Sequence, residues 1–391
     1  MTPSARVQAA IEVLDLVIAA ARANGAPADR IVGDWFRSRR FAGSGDRRAV
    51  RELVFRAIRS CGEVPLDGRA AMLRLVLEDE ALAALFDGSR HAPAPIDPDE
   101  PIADGGIAPG WLVEALERSG LSESDALWLL DRAPLDIRVN TLRAGVADLP
   151  EGGERTAAPN GWRYPPNTRI EDTPAFNDGM IEVQDTGSQL TCMAVAARPG
   201  ETIIDLCAGA GGKTLALAAD MGGSGCLIAC DTDRARLSRL EPRAQRASAH
   251  GIRTVLLDPG REAKALAEWQ DSADAVLVDA PCSGTGTWRR NPEARWRLTP
   301  EQLGRYTALQ SRLLDIAATL VKPGGRLVFV TCSLLDAEGA GQIDAFLSRQ
   351  PEFRADRPIL PAGEPRGAGI RLSPYRDGTD GFFVARLFRL C

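Results

Sequence analysis

The sequence predicts an α/β protein: a doubly wound, Rossmann-like domain preceded by a small α+β domain and an all-helical domain. Three observations predict it. The first 90 residues repeat apolar side chains at helical spacing and carry no strand pattern. From residue 178 onward, short apolar runs alternate with helix-forming stretches, which is typical of a parallel sheet covered by helices. A glycine-rich turn joins one of these runs to the helix that follows it.

Four segments are predicted in chain order. Residues 1–90 form the helical domain, and residues 91–106 form a linker because Pro, Asp and Gly dominate that stretch. Residues 107–177 contain two helical stretches and the strand-like RVNTL, so we expect them to form the small α+β domain. Residues 178–391 form the Rossmann-like domain, and its last strand, near Gly381–Phe388, is expected in an antiparallel hairpin.

Composition narrows the class of protein. The chain has 391 residues and a formal net charge of −6, without a run of about 18 uncharged apolar residues that could span a membrane. Eight cysteines with no CxxC pair, and only His91 and His250 as imidazoles, argue against a structural zinc site. In the absence of a secretory signal, we expect reduced thiols in a cytoplasmic protein that binds no metal and no membrane.

The glycine-rich turn is the stretch CAGAGGKT, which begins at Cys207 and follows the apolar run Thr202–Leu206. Glycine in such a turn lets the backbone approach a ligand closely. A phosphate-binding Walker loop would need glycine where Cys207 stands, and a complete dinucleotide motif would need glycine at Thr214. S-adenosylmethionine has no phosphate and tolerates the looser pattern, so we expect this methyl donor as the cofactor.

Acidic residues end three of the apolar runs after the glycine turn. Asp231 lies about 20 residues past the glycines, where a carboxylate can accept hydrogen bonds from ribose hydroxyls. Asp258 and Asp279 end the next two runs. Together these residues favour a bound adenosine group, although any one of them could simply cap the following helix or turn.

Two cysteines directly follow predicted strands. Cys282, in DAPCSGTG, follows Ala275–Val278, and Cys332, in VTCS, follows Arg326–Val330. Neighbouring parallel strands would bring both thiols to the carboxyl edge of the sheet, where such folds bind ligands. A thiolate is a suitable nucleophile for an electron-poor carbon such as C6 of a pyrimidine. Addition at C6 makes the neighbouring C5 able to take an electrophilic methyl group.

These motifs resemble those of the RNA (cytosine-5) methyltransferases, the family that includes ribosomal-RNA small-subunit methyltransferase B. The matching stretches are PLDIRVNTLR, VQDTGSQL, DLCAGAGGKT, DAPCSGTGTWRRNPEARW, LVKPGGRLVFVTCS and TDGFFVARL, in the family's order from Pro134 to the C-terminus. The resemblance implies methylation of a cytosine in RNA, with 16S ribosomal RNA favoured, and a NusB-like RNA-binding fold for residues 1–90. Gly209 and Ala210 replace the Ala-Pro of the usual family loop, which is expected to make the loop less rigid.

The resemblance also implies roles for individual residues. Cys332 is expected to attack C6, and Cys282 is expected to help release the product. DNA cytosine-5 methyltransferases use the Pro-Cys cysteine as nucleophile instead, so this assignment depends on the TCS motif. Asp279 is expected to hydrogen-bond the N3/N4 edge of the flipped base. The predicted cofactor-binding residues are Cys207, Ala208, Gly209, Ala210, Gly211, Gly212, Lys213, Asp231, Asp258 and Asp279. Lys213 could instead simply point to solvent.

Positive charge is concentrated near the N-terminus. Residues 1–60 hold eleven arginines and six acidic residues, a net charge of +5, whereas residues 61–155 hold eight arginines and nineteen acidic residues, a net charge of −11. The Arg-rich stretch Trp35–Ser60 is therefore predicted to bind RNA phosphates. Its predicted contacts are Arg39, Arg40, Arg47 and Arg48. The alternative is a solvated helix face with intrahelical ion pairs such as Arg48–Glu52.

A second basic group adjoins the Cys282 motif and mixes cations with aromatic side chains. Its members are Trp288, Arg289, Arg290, Arg295, Trp296 and Arg297. We expect Arg289 and Arg290 to contact RNA, because cations and stacking surfaces together are typical of single-strand binding. A purely structural role for the group is the alternative.

Other functions stay open at this point. A DNA methyltransferase normally carries a target-recognition domain late in the chain, and the C-terminal part is too short for one. A small-molecule methyltransferase would need neither two strand-end cysteines nor arginine-rich flanks. A catalytically silent RNA-binding assembly factor would be expected to lose one cysteine, and both are present. Transfer RNA is the alternative substrate, and a monomer is the expected state.

Overall fold

The computed structural model describes residues 1–143 and 149–391, and within these ranges it contains fifteen α-helices and thirteen β-strands. The helices are α1 (Pro3–Arg22), α2 (Ala28–Arg37), α3 (Ser44–Ser60), α4 (Gly68–Glu78), α5 (Gly110–Arg118), α6 (Glu123–Leu127), α7 (Pro174–Asn177), α8 (Thr186–Met193), α9 (Gly212–Asp220), α10 (Arg234–Leu237), α11 (Leu240–Arg246), α12 (Glu262–Ala265), α13 (Pro300–Leu320), α14 (Ala340–Arg349) and α15 (Pro374–Asp377). The strands are β1 (Leu135–Val139), β2 (Glu154–Arg155), β3 (Gly161–Tyr164), β4 (Ile181–Val183), β5 (Thr202–Asp205), β6 (Cys226–Asp231), β7 (Ile252–Leu256), β8 (Ala273–Asp279), β9 (Val321–Thr331), β10 (Phe353–Ala355), β11 (Glu364–Arg366), β12 (Gly369–Leu372) and β13 (Phe382–Arg389). Single 3-10 turns span Glu80–Leu85, Trp128–Leu130, Ile170–Asp172, Ala267–Trp269, Thr285–Thr287, Pro292–Trp296 and Asp336–Glu338.

The described chain forms two compact units, and the first of them is helical. It comprises Met1–Asp131 together with Thr287–Thr299. Helix α1 begins after Thr2, whose hydroxyl accepts a hydrogen bond from the backbone N–H of Ala5, and it buries an apolar face against α3 and α4. The helical part predicted at the N-terminus is therefore present.

The segment Thr287–Thr299 packs into this helical unit through charges placed at helix ends. The guanidinium of Arg295 is fully buried and donates to the carbonyls of Ile58 (2.6 Å) and Cys61 (2.8 Å) at the C-terminal end of α3. The carboxylate of Glu293 accepts a hydrogen bond from the N–H of Ala28 (2.8 Å), the first residue of α2. A cation at a helix C-terminus and an anion at a helix N-terminus both complement the helix dipole.

The second unit comprises Arg132–Gly286 and Pro300–Cys391, and its first element is a small antiparallel sheet in the order β2-β3-β1-β4. Asp136 of β1 is buried and forms a two-pronged ion pair with Arg163 of β3 (2.8 Å for each contact). It also accepts hydrogen bonds from the N–H (3.0 Å) and hydroxyl (2.7 Å) of Thr186, at the start of α8. This carboxylate therefore joins the small sheet to the helix that precedes β5.

The large sheet has the strand order β11-β12-β13-β9-β8-β5-β6-β7, with β10 paired to β13. Strands β5 to β9 run parallel, and β13 inserts antiparallel between β9 and β12. Because β6 and β8 lie on opposite sides of β5, the direction of winding reverses there, which opens a crevice at the carboxyl ends of the strands. The doubly wound Rossmann-like fold and its antiparallel hairpin are confirmed.

Alternation along the central strands explains why this sheet is covered on both faces. Val276 and Val278 of β8 pack into one apolar cluster, whereas Ala275 and Leu277 pack into the other. Both sets are fully buried. The near-continuous apolar runs recognised in the sequence are thus buried parallel strands.

The two compact units divide the chain after Asp131, Gly286 and Thr299. This division does not test the predicted domain boundaries at residues 90, 106 and 177, which remain predictions. Strand β4 pairs with β1 although it lies beyond residue 177, and residues 144–148 of the predicted small domain lie outside the described ranges. None of the described helices is both long and apolar enough to cross a membrane.

Candidate active site

The glycine turn between β5 and α9 takes a backbone shape that depends on two glycines. Gly209 (φ +56°) and Gly211 (φ +86°) both adopt left-handed conformations, which L-residues with side chains rarely adopt. At Gly211 a Cβ atom would also lie 2.1 Å from a methyl carbon of Leu240. The backbone shape at the end of β5 therefore depends on glycine at these two positions.

Asp231, at the end of β6, holds this turn in place. Its Oδ2 accepts a hydrogen bond from the N–H of Gly209 (2.7 Å), and its Oδ1 accepts one from the N–H of Asp233 (2.7 Å). The residue is 7% exposed. Each carboxylate oxygen has two lone pairs, so further hydroxyl donors can be accommodated.

Other residues predicted for cofactor binding support the turn through their backbones. The N–H of Ala208 donates to the carbonyl of Cys230 (2.8 Å), and the carbonyl of Ala210 accepts from Arg243 (2.7 Å). Gly212 begins α9. Burial and nearby carboxylates raise the pKa of Cys207 well above its usual value, so this cysteine stays a thiol.

Asp258 is the exception among the predicted cofactor residues. It lies in the exposed turn after β7, and its carbonyl accepts the N–H of Arg261 (2.9 Å). Its place at the carboxyl end of a parallel strand matches the prediction, and its role in cofactor binding stays a prediction.

A residue that the sequence analysis did not single out, Asp205, lies beneath the turn. It is fully buried at the end of β5, and its Oδ2 accepts the hydroxyl of Thr214 (2.7 Å). Burial raises its pKa to about 7, with the charges of Asp279 and Asp231 adding to the effect. A lone carboxylate inside the apolar run was the signal available in the sequence.

Lys213 and Asp279 form an ion pair at the ends of α9 and β8. The Nζ of Lys213 lies 2.8 Å from Oδ2 of Asp279 and 5.3 Å from the ring centre of Phe382. Burial alone would lower the pKa of Lys213, but the charge of Asp279 raises it above its ordinary value. Lys213 is 9% exposed, so it does not point freely into solvent.

The two predicted catalytic cysteines meet. The Sγ atoms of Cys282 and Cys332 lie 3.4 Å apart, and both side chains are half-buried. Their contact and then burial raise the pKa of Cys282 well above its usual value. The charge interaction with Cys332 is one of the causes that raise the pKa of Lys213.

Hydrogen bonds between the segments that carry Cys282 and Cys332 hold the two thiols close together. Strands β8 and β9 are parallel neighbours, and their ladder continues past the strand ends through Ala280 N–H to the carbonyl of Val330 (2.9 Å). The N–H of Gly286 then donates to the carbonyl of Cys332 (3.0 Å). The parallel topology therefore places both thiols at one edge of the sheet, as predicted.

The N-terminal arginines predicted to bind RNA differ in their surroundings. Arg39 lies 4.0 Å above the ring of Trp35 and 3.2 Å from Glu12, and Arg47 donates to a backbone carbonyl. Arg40 and Arg48 are exposed. Arg40 and Arg48 are thus the stronger candidates for phosphate contact, and all four contacts remain predictions.

The second basic group is more buried than its sequence suggests. Trp288 is 0% exposed and Trp296 is 5% exposed, so these indoles are not available for stacking on bases. Arg289 is 8% exposed and Arg290 is half-buried. RNA contact by these two arginines stays a prediction.

Among the described residues, no group of three or more His, Cys, Asp or Glu side chains is arranged to hold a metal ion.

Comparison with known proteins gives a consistent picture. Residues 192–388 match the family model described as 16S rRNA methyltransferase RsmB/F. The chain is 34% identical over 299 residues to the probable ribosomal RNA small subunit methyltransferase B of Synechocystis, covering 71% of this chain and 66% of that protein. It is 34% identical to ribosomal RNA small subunit methyltransferase B of Xylella fastidiosa, covering 72% and 67%. The match thus spans about two thirds of the length of these relatives.

A solved structure extends the likeness to the whole fold. The crystal structure of PH0851 superposes with a TM-score of 0.76 at 26% identity, covering 99% of each chain. That likeness includes the helical part as well as the large sheet. With its family match, its curated relatives and its paired cysteines, the chain belongs to the 16S rRNA methyltransferase RsmB/F family.

Proposed function

We propose that this protein methylates C5 of a cytosine in RNA, with 16S ribosomal RNA as the substrate. The observation that carries the proposal is the 3.4 Å contact between the Sγ atoms of Cys282 and Cys332, at the strand ends beside the Lys213–Asp279 pair. Two thiols in contact suit a reaction in which one sulfur adds to a carbon and a second group moves a proton. The family membership supports the same chemistry.

We propose S-adenosylmethionine as the methyl donor, and the residues present fit it. The left-handed turn at Gly209 and Gly211 follows β5 at the carboxyl edge of the sheet, where folds of this kind bind ligands. Asp231 offers acceptor capacity for the ribose hydroxyls of the cofactor. When bound, the cofactor supplies an electrophilic methyl group.

The thiol of Cys332 is proposed as the nucleophile. Its thiolate forms a bond to C6 of the cytosine, and the electron pair of the C5–C6 double bond moves to C5 and the ring. Lys213, held by Asp279, supplies a positive charge at the same edge of the sheet. Asp279 is also proposed to hydrogen-bond the N3/N4 edge of the base, which would hold the ring in position as addition proceeds.

Cys282 is proposed to assist the second half of the reaction. After C5 carries the methyl group, water takes the C5 proton, and the electron pair of the C5–H bond restores the C5–C6 double bond and expels the thiolate of Cys332. The high pKa of Cys282 favours a protonated thiol that hydrogen-bonds to Cys332, so it can return a proton to the departing sulfur. This assignment agrees with the resemblance that pointed to Cys332 as the attacking residue.

The helical unit is proposed to bind RNA through its Arg-rich surface, as a NusB-like domain. Arg40 and Arg48 carry exposed guanidinium groups suited to phosphate. A ribosomal RNA substrate would place the protein in the cytoplasm, and we propose that it acts as a monomer.

The experiment is to incubate the purified protein with labelled methyl donor and, separately, ribosomal RNA, transfer RNA and DNA. We expect 5-methylcytidine after digestion of 16S ribosomal RNA. Labelling of transfer RNA alone would show that the substrate is transfer RNA rather than ribosomal RNA. Labelling of none, with RNA binding intact, would favour a non-catalytic assembly factor.

A further inference from the structure

Glu338 is a fully buried carboxylate close to the Cys282 motif, and no family motif quoted above includes it. It ends the 3-10 turn after β9. Its Oε1 accepts hydrogen bonds from the N–H of Ser283 (2.8 Å) and from Nε2 of Gln310 (3.0 Å), and its Oε2 accepts the hydroxyl of Ser283. All three donors are neutral.

A buried charge of this kind is costly unless it is well solvated by hydrogen bonds. Here the protein supplies three donors to one carboxylate, two of them from the residue directly after Cys282. A neutral side chain of the same size would occupy this space with a smaller desolvation penalty. The charge therefore calls for a reason beyond packing.

The first consequence is positional. Nε2 of Gln310, on α13, also donates to the carbonyl of Pro281 (2.9 Å), so the residues before and after Cys282 are both held. The hydroxyl of Ser283 lies 3.2 Å from that of Ser333, the residue after Cys332. Glu338 thus anchors the loop that sets one sulfur against the other.

The second consequence is electrostatic. The charges that act on Cys282 are those of Cys332, at 3.4 Å, and of Glu338. Tyr306, on α13, shares this environment, since burial and the charges of Cys282, Glu338 and Cys332 raise its pKa. A negative charge at Glu338 disfavours a thiolate at Cys282.

We propose that Glu338 is a positioning residue for this reaction. Its buried carboxylate fixes the Cys282 loop against the Cys332 turn, and its charge keeps Cys282 as the protonated member of the pair. The inference rests on the proposed function only in taking Cys332 as the attacking sulfur. In that arrangement Cys282 donates a hydrogen bond to the Cys332 thiolate before attack and keeps a proton available for its release.

The test is a titration of Cys282 that needs neither RNA nor methyl donor, so its outcome is separate from that of the methylation assay. In a Cys332→Ala background, the rate of Cys282 alkylation by iodoacetamide is followed against pH by mass spectrometry of the peptide. Glu338→Gln keeps the shape, because an amide can accept from Ser283 N–H and donate to the Ser283 hydroxyl. We expect its alkylation midpoint to move to lower pH.

The matched control is Glu262→Gln, which removes another buried, hydrogen-bonded carboxylate of the same unit, on α12 after β7. It is expected to leave the Cys282 midpoint in place. An unchanged midpoint in folded Glu338→Gln, or an equal shift in the control, would overturn the electrostatic part of the proposal.

The positional part of the proposal is tested with Ser283→Ala, which removes one hydrogen bond to Glu338 but leaves the charge of Glu338 in place. The same variant tests the proposal if Glu338→Gln does not fold. With both cysteines present, we expect a fall in kcat of tenfold or more at unchanged KM for RNA, without a shift of the alkylation midpoint in the Cys332→Ala background. Wild-type kcat would show that the anchor does not position Cys282.

Discussion

Replacing Asp205 with asparagine should change how stability depends on pH. The carboxyl of Asp205 has a pKa of about 7 in the folded protein, against an ordinary value of 3.8. Because the pKa of Asp205 is higher in the folded than in the unfolded protein, its protonated form stabilises the fold. This contribution to the unfolding free energy is fully present below pH 3.8 and is lost as the pH rises through about 7. At about 1.4 kcal/mol per pKa unit, the unfolding free energy of the wild type should fall by roughly 2.5 kcal/mol between pH 5 and pH 8 from this group alone.

The assay is urea unfolding of wild type and Asp205→Asn at both pH values, taken as a difference so that other titrating groups cancel. Asparagine can still accept the hydroxyl of Thr214 but cannot ionise. The variant should therefore gain about 2.5 kcal/mol relative to wild type on going from pH 5 to pH 8. Thr214→Val removes the hydrogen bond that lowers the pKa of Asp205. The unfolding free energy of this variant should therefore fall more between pH 5 and pH 8 than that of the wild type. An equal difference at both pH values would refute the reasoning.

Two further predictions concern binding. Asp231→Asn should weaken S-adenosylmethionine binding by roughly 1.5–3 kcal/mol in calorimetry, because a charged acceptor for the ribose is lost while one oxygen can still hold Gly209. Unchanged affinity would make Asp231 a turn residue only. Arg40→Gln with Arg48→Gln should weaken RNA binding across sequences and lower the salt slope by roughly 0.7–0.9 per lost contact. An unaltered slope, with unchanged circular dichroism, would leave these arginines as a solvated helix face.

The parts of the site that depend on topology could be predicted from sequence. Cys282, Cys332, Asp231 and Asp279 each follow a buried run, and a parallel sheet brings such strand ends to one edge. The glycine turn was recognisable because glycine is needed wherever φ is positive, as at Gly209.

What the sequence could not show depends on contacts between distant residues. Glu338 sits in a short acidic turn that looks like a surface segment, and only the fold shows that it reaches Ser283, 55 positions earlier. Arg295 resembles an RNA contact because it lies near Cys282, yet it donates to the carbonyl of Ile58, 237 positions away. Neither interaction leaves a local pattern, since residues so far apart show no shared periodicity.

The most direct test of the central claim is covalent trapping with the two cysteine variants. Purified protein is incubated with substrate RNA and methyl donor, and adducts that survive denaturing electrophoresis are counted. Cys282→Ala should accumulate protein–RNA adducts, because Cys332 still adds to C6 while release fails. Cys332→Ala should give neither adduct nor methylation. Adducts in Cys332→Ala, and none in Cys282→Ala, would move the nucleophile to Cys282 and contradict the account.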